Sequence, residues 1–203
     1  MKHTPVLSVI TVCFQAKASV QATLASLLGQ AWTDFEYLVV DGGSADGTKE
    51  LLESSAPAFS QAGVRFRWRS EPDQGIYDAM NKGVRMADGE WLLFLNAGDL
   101  LADTQVLARV FAAPANAGIL YGDTICIYRG QKKLYPALPL SHLSREMAFC
   151  HQSAFVKRVL LHRQPYDITY KVCADHHFFL SMYLRGETFA YLPFPVSVYE
   201  ISG

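Results

Sequence analysis

Two alternating periods in the first half of the chain constrain its fold more than any other feature. Val6 to Val12 is a β-branched, nearly continuous apolar run of the kind that is buried on both faces of a sheet. Between Ser19 and Gln30 the apolar residues Val20, Leu24, Leu27 and Leu28 fall on one face of a helix. The alternation then repeats. A strand over 35–40 meets a Gly/Ser/Asp turn and a helix from Thr48 to Ser55, which Pro57 is expected to end. Val64 to Trp68 reads as a strand with alternating basic residues. Ile76, Tyr77, Met80, Val84 and Ala87 mark another helical face, closed by Asp88-Gly89 before a strand over 91–95. Such β–α–β repetition predicts an α/β fold with a largely parallel sheet covered by helices on both faces.

Beyond Pro114 the rhythm changes. Ile119–Tyr121 and Thr124–Tyr128 read as strands, joined onward by a hairpin turn over Arg129 to Lys133. Pro136 and Pro139 interrupt any regular element, a helix is predicted over His176 to Leu184, and Thr188–Leu192 reads as a late strand. The chain of 203 residues suits one domain with a full core, divided into a nucleotide-type half, 1–115, and a mixed half, 116–203. A net charge of −1 provides no general pull toward nucleic acid or anionic lipid, so any anion binding must be local and no nucleic-acid partner is expected. Apolar runs fall short of the ~20 residues that span a bilayer. Met1-Lys2-His3-Thr4-Pro5 lacks the apolar core of a signal peptide, so a cytoplasmic location is expected. Cys13, Cys126, Cys150 and Cys173 form no Cys-x-x-Cys pair and suit a reducing compartment. Cys150-His151 with Cys173, His176 and His177 lacks a zinc-finger spacing, so these cysteines read as small buried hydrophobes instead of ligands.

Asp41 and Asp99 each end an apolar run where the chain breaks into turn residues. In an open α/β sheet, ligands bind in the crevice beyond the carboxyl ends of the strands. Two acids delivered there point to something polar, phosphorylated or metal-bound. No G-x-G-x-x-G follows the first strand and no G-x-x-x-x-G-K-[ST] occurs, which removes the main support for dinucleotide and P-loop readings. Thr11-Val12-Cys13-Phe14-Gln15 instead places a hydroxyl and an aromatic ring at the crevice, able to bond and stack on a base.

Four segments carry a specific resemblance: Ser8 to Phe14; Val39-Val40-Asp41-Gly42-Gly43-Ser44-Ala45-Asp46-Gly47-Thr48; Ser70-Glu71-Pro72-Asp73-Gln74-Gly75-Ile76-Tyr77-Asp78-Ala79-Met80-Asn81-Lys82-Gly83; and Phe94-Leu95-Asn96-Ala97-Gly98-Asp99. In this order they resemble family 2 glycosyltransferases of the GT-A fold, a Rossmann-like, mainly parallel sheet. The last two resemble the branch that builds bacterial exopolysaccharides such as colanic acid. The resemblance implies a nucleotide-diphosphate sugar as donor, with Thr11, Phe14 and Asp41 on its nucleoside. An exposed Asp41 carboxylate would accept a base N–H or a ribose hydroxyl. The bland alternative makes Asp41-Gly42-Gly43 a turn, and Asp46 reads as ordinary turn and capping chemistry. Relatives often carry a second acid where this chain has Gly42, so that contact is absent.

Asp99 is the metal candidate, for Mn2+ or Mg2+, with Asn96 assisting through its carbonyl; the family's Asp-x-Asp is degenerate here. Asp73 and Asn81 are expected donor contacts. Lys82 either joins them or pairs with Asp78 four residues earlier. In the second half, Cys150-His151-Gln152 and the segment Tyr166 to His177 resemble acceptor-side segments, which implies Asp175 as the base that takes the acceptor proton, with His151 and Gln152 lining the sugar or acceptor pocket. Asp175 also reads as the N-cap of the last helix. Arg145, Lys157, Arg158 and Arg163 make this half locally basic and suited to an acceptor diphosphate. The implied activity is inverting transfer to a saccharide on a polyprenyl diphosphate, at the inner face of the cytoplasmic membrane and with peripheral association. A nucleotidyltransferase and a catalytically silent sugar-nucleotide-binding module are the rival classes. Relatives continue past Ile201-Ser202-Gly203 into a helical tail.

Overall fold

The computed structural model describes residues 4–112 and 116–200. The start at Met1 to His3, the break at Pro114 and the end at Ile201-Ser202-Gly203 lie outside the described residues. The first half runs β1 (Leu7–Cys13), α1 (Lys17–Leu28), β2 (Phe35–Asp41), α2 (Thr48–Gln61), β3 (Arg65–Ser70), α3 (Ile76–Met86) and β4 (Trp91–Phe94). β1 lies between β2 and β4, parallel to both, with β3 parallel on the outer side of β2. Every residue of β1, β2 and β4 is buried, which is why these strands read as apolar runs and not as alternations. Successive side chains serve opposite faces. Ile10, Leu38 and Leu92 pack with Met80 and Val84 of α3, whereas Val9, Tyr37 and Leu93 pack with Leu24 and Leu27 of α1 and with Leu52 and Phe59 of α2.

The first half closes with β5 (Leu100–Leu101) and α4 (Val106–Val110), and the second supplies β6 (Ile119–Tyr128), β7 (Gln131–Tyr135), 3-10 turns over Leu140–Ser144 and His151–Ser153, β8 (Ala154–Lys157), α5 (Arg158–Arg163), α6 (Ala174–Leu184) and β9 (Phe189–Glu200). β8 enters antiparallel between β4 and β6, so one mixed sheet runs through both halves in the order β3-β2-β1-β4-β8-β6-β9-β5, with β7 on β6. Among the described residues no helix is long and apolar enough to cross a membrane.

Several boundaries differ from expectation for local reasons. α2 continues through Pro57 to Gln61. The ring of Phe59 is fully buried and stacks on Phe66 at 4.8 Å, with Tyr37 at 5.3 Å. Burying such a side chain stabilises by roughly 1.5–3 kcal/mol, enough to offset most of the ~3 kcal/mol cost of an interior proline. The two strands expected over 119–128 are one strand, β6, whose ladder with β9 shifts register between Gly122 and Thr124. A side chain at 122 would meet the Phe194 carbonyl at 2.9 Å and Val196 at 2.7 Å, so only glycine fits this bulge. The hairpin turn narrows to Arg129-Gly130, both at positive φ (50° and 75°), as a two-residue loop requires. β9 extends to Glu200 because β6 gives it a partner that far. Arg65 and Arg67, the alternating basic residues, converge on the fully buried Glu36 at 2.7 Å each. Burial raises the Glu36 carboxyl, and its bonds from Ser8, Asp88 N and Arg67 outweigh that and hold it below the usual range.

Phe59→Ala should lower unfolding stability by about 3–5 kcal/mol, read as a shift of the urea midpoint, because it removes the packing that carries α2 past Pro57.

Candidate active site

Because β2, β1 and β4 are adjacent and parallel, Asp41 at the end of β2 and the loop to Asp99 after β4 emerge at the same edge, the two strands lying about 10 Å apart across two strand spacings. Backbone bonds stitch the loops there to β1: Gly42 N donates to Cys13 O at 2.8 Å and Leu95 N to Ile10 O at 2.9 Å. Asp41 is not the exposed acceptor expected. It is fully buried, and its carboxylate accepts from the Ser44 N–H at 2.9 Å, the Gly43 N–H at 3.3 Å and the hydroxyls of Ser44 and Ser70. Burial pushes its pKa up, and these bonds reverse the effect and leave it below the usual range. Asp41 therefore shapes the loop that follows β2. Asp46 behaves as the turn residue expected, bonding Thr48 N and Oγ1 and the Lys17 N–H at the start of α1.

Three other expected donor contacts are spent inside the protein. Thr11 is fully buried, donates to Leu95 O at 2.5 Å and accepts from the Tyr37 hydroxyl at 2.9 Å, because its side chain points into the sheet's core face and not the crevice. Asn81 brackets the backbone of Tyr166, Nδ2 donating to its carbonyl at 2.8 Å and Oδ1 accepting its N–H at 3.0 Å. Lys82 donates to Pro72 O at 2.7 Å and ion-pairs with Glu71 and Asp78, so it staples the 71–75 loop to α3. Phe14 and Asp73 remain at the crevice. Phe14 is 63% exposed, and with Val12, Cys13, Asp73, Ile76 and Ala79 it lines a cavity of about 200 Å³. A side chain at 42 would strike Asp73 Oδ2 at 2.8 Å and Phe14 at 3.2 Å, so glycine keeps this cavity open.

The acceptor-side residues converge on the end of β4. Asp175 sits in the first turn of α6, not at its cap, because Cys173 takes the left-handed cap position at φ 66°. Its Oδ1 accepts the Tyr77 hydroxyl at 2.9 Å and its Oδ2 lies 3.1 Å from His151 Nδ1. His151 Nε2 lies 3.2 Å from Asn96 Nδ2. A continuous polar chain, Tyr77–Asp175–His151–Asn96, thus joins α3, α6, the 3-10 turn and the β4 loop. Gln152 is buried in that same turn. Burial would raise the Asp175 carboxyl, but His151, Tyr77 and the His176 N–H hold it at about 2. His176 Nε2 meets the Leu143 carbonyl at 2.8 Å and His177 stacks on Tyr170, so neither faces Cys150 as a ligand pair would. Lys157 and Arg158 are at the opposite edge, pairing with the start of β4 and with Glu90 and Gly89, and cannot reach a ligand here.

Asp99 is 6% exposed, and burial lifts its carboxyl to about 6 against the lowering influence of His151 and the Asn96 N–H. Among the described residues no Lys or Arg side chain pairs with it. Asn96 Oδ1 is buried without a hydrogen-bond partner. An under-neutralised carboxylate beside an unused carbonyl oxygen fits a hard divalent ion that also takes phosphate oxygens and water. Thr23 of α1 holds this turn by accepting the Gly98 N–H and donating to Asp99 O, each at 3.0 Å. Sequence reasoning missed Thr23, Ser44, Ser70 and Tyr77. Tyr77 showed only as part of an apolar helical face.

The raised Asp99 pKa has a definite sign. The folded protein holds this proton more tightly than the unfolded chain, so stability falls as pH rises from about 4 through 6, by up to about 3 kcal/mol. Without divalent ions, Asp99→Asn should melt higher than the native protein at pH above 7, and the gap should close near pH 4, as read by differential scanning fluorimetry.

Residues 8–185 match the family model described as glycosyl transferase family 2. A PGL/p-HBAD biosynthesis glycosyltransferase of Mycobacterium bovis is 38% identical over 178 residues, covering 86% of this chain and 68% of the relative. An uncharacterized glycosyltransferase of Mycobacterium tuberculosis is 31% identical over 195 residues, covering 92% of this chain and 72% of the relative. In fold, TarS 1–349 of S. aureus in complex with UDP superposes with a TM-score of 0.77 at 19% identity over 97% of this chain. The mannosyltransferase PcManGT of Pyrobaculum calidifontis, in complex with GDP-Man and Mn2+, gives 0.73 at 21% identity over 97%. The chain spans 60% and 57% of those two solved chains. With the four motif segments in order on a sheet of this topology, the chain belongs to glycosyl transferase family 2 and carries the GT-A fold of those enzymes.

Proposed function

We propose that the protein is an inverting glycosyltransferase that moves a sugar from a nucleotide-diphosphate donor to an acceptor hydroxyl, with Asp175 as general base. The observation that carries this reading is the Tyr77–Asp175–His151–Asn96 chain, which ends at the turn holding Asp99. The halves divide the work: 1–115 takes the donor and 116–203 presents the acceptor. Phe14 and Asp73 contact the nucleoside, and Asp41 acts indirectly by shaping their loop. Asp99, with Asn96 Oδ1, would hold the divalent ion; Mg2+ or Mn2+ bound there supplies Lewis-acid neutralisation of the leaving diphosphate. Solved neighbours in complex with UDP and with GDP-Man and Mn2+ support this assignment.

The acceptor oxygen attacks the anomeric carbon from the face opposite the nucleotide as the bond to the diphosphate breaks, and its proton passes to Asp175. A carboxyl held near 2 is ionised throughout the neutral range but is a weak base in the ground state. That is tolerable when the proton moves only in the transition state, where the oxygen has become acidic. Tyr77 and His151 fix the carboxylate's two oxygens, which keeps its free lone pairs aimed at one place. The acceptor is a saccharide, lipid-linked at the cytoplasmic face of the membrane, as in surface-polysaccharide assembly.

Incubation with uridine, guanosine and thymidine diphosphate sugars plus Mn2+ should give slow donor hydrolysis for at least one donor. Metal-independent binding without turnover would overturn the catalytic reading. Asp175→Asn should lower turnover by about 10²–10⁴-fold while donor affinity in a thermal-shift titration stays unchanged. Tyr77→Phe removes a bond that lowers the Asp175 pKa. The acid limb of its rate profile should therefore move up by about one pH unit, the value of one hydrogen bond to a charged group.

A further inference from the structure

The β6–β7 ribbon is not used by the chemistry above, yet its placement and composition are distinctive. β6 runs in the direction of β4, since each is antiparallel to β8. Leu93 of β4 and Leu120 of β6 lie level, both paired with Phe155. From there β6 continues to Tyr128, about 25 Å beyond that level at 3.3 Å per residue. The ribbon therefore projects from the same edge that carries Asn96, Asp99 and His151. β7 pairs with β6 over 124–128, and at that ribbon's root Thr124 Oγ1 lies 2.7 Å from Ser153 Oγ, two residues from His151. The projection thus stands beside the mouth of the site.

Its side chains sort by register. Tyr128 opposes Gln131, Cys126 opposes both Lys133 and Tyr199, and Thr124 opposes Tyr135, so Tyr128, Tyr135, Tyr199 and Lys133 share one face. The tyrosines are 52%, 45% and 38% exposed. Arg129 lies over the Tyr128 ring at 5.2 Å and Lys133 over Tyr135 at 5.1 Å. From 124 to 135 the ribbon carries Arg129, Lys132 and Lys133 and no acid, on a protein of net charge −1. Glu200 of β9, paired with Ile127, falls on the opposite face from the tyrosines. Lysines on the outer strand also oppose pairing of that edge with a second copy.

We infer that the tyrosine face of the β6–β7 ribbon docks on an anionic phospholipid surface, seating the mouth of the site against the membrane. Amphipathic rings that bury an apolar body and keep a polar hydroxyl in the headgroup layer suit that boundary, and Lys133 on that face with Arg129 at the turn complements anionic headgroups, while Lys132, paired with Ile127, lies on the face of Glu200. This deepens the reading that the acceptor is presented at a membrane face, and rests on that reading for its purpose.

Co-sedimentation of the protein with phosphatidylcholine vesicles, with and without phosphatidylglycerol, tests it. The native protein should bind the phosphatidylglycerol vesicles, with affinity falling as salt is raised, and should bind pure phosphatidylcholine weakly. Arg129→Gln combined with Lys133→Gln should weaken binding to the anionic vesicles by about thirtyfold. Tyr128→Ser with Tyr135→Ser should weaken it further at high salt. Melting temperature and donor hydrolysis by these variants should match the native protein, which separates docking from folding and from catalysis. Equal binding to both vesicle types, or undiminished binding by the charge variant, overturns the inference. Vesicle binding without donor hydrolysis by the native protein would sink the proposed function and leave the docking surface standing.

Discussion

Asp175 is a largely buried carboxylate, its side chain 14% exposed, and a charge withdrawn from water persists only if its oxygens are satisfied. Its two partners come from different places: Tyr77 from a helix on the donor side, and His151 from the turn before β8. Satisfying one side chain therefore ties α3, α6 and the 151–153 turn into a single arrangement, and Asn96 extends it to the loop after β4. Precise placement of a base costs less when it is also the group whose burial holds the walls of the site in position.

The acids at this edge show how one residue type takes three roles by surroundings alone. Asp41 is buried but accepts hydrogen bonds from its own loop and from Ser70, so it stays ionised and becomes architecture. Asp46, fully at the surface, caps two helix starts. Asp99 is buried with, among the described residues, the Asn96 N–H against its carboxylate and His151 nearby, and of these three acids it is the one whose pKa rises. A buried carboxylate with so little to neutralise it is a poor choice for stability and a good one for recruiting a cation, which is the usual exchange at a functional site.

Much of this was legible beforehand. β1, β2 and β4 are buried on both faces, so their apolar runs and the helical faces between them announced a parallel sheet. Motif order announced the family, which residues 8–185 bear out. Asp99, Asn96, His151 and Asp175 do gather at one edge, although they are spread over 80 residues. Thr11, Asn81, Lys82 and Asp41 bond the protein itself, which their types did not reveal, because a polar side chain near a crevice reads the same whether it faces a ligand or the backbone of a neighbouring loop. Pro57 misled because propensity is local, while the burial of Phe59 that overrides it is not.

Local pattern was enough to set the period of each element, and with it the sheet, its helices and the edge at which acids would appear. It was not enough to assign a carboxylate to architecture, capping, base or metal. Those roles turn on which hydrogen-bond donors reach each oxygen, and the decisive donors, Ser70 for Asp41 and Tyr77 for Asp175, arrive from 29 and 98 residues away. Such distances along the chain are closed by packing, and no neighbour in sequence carries their signal.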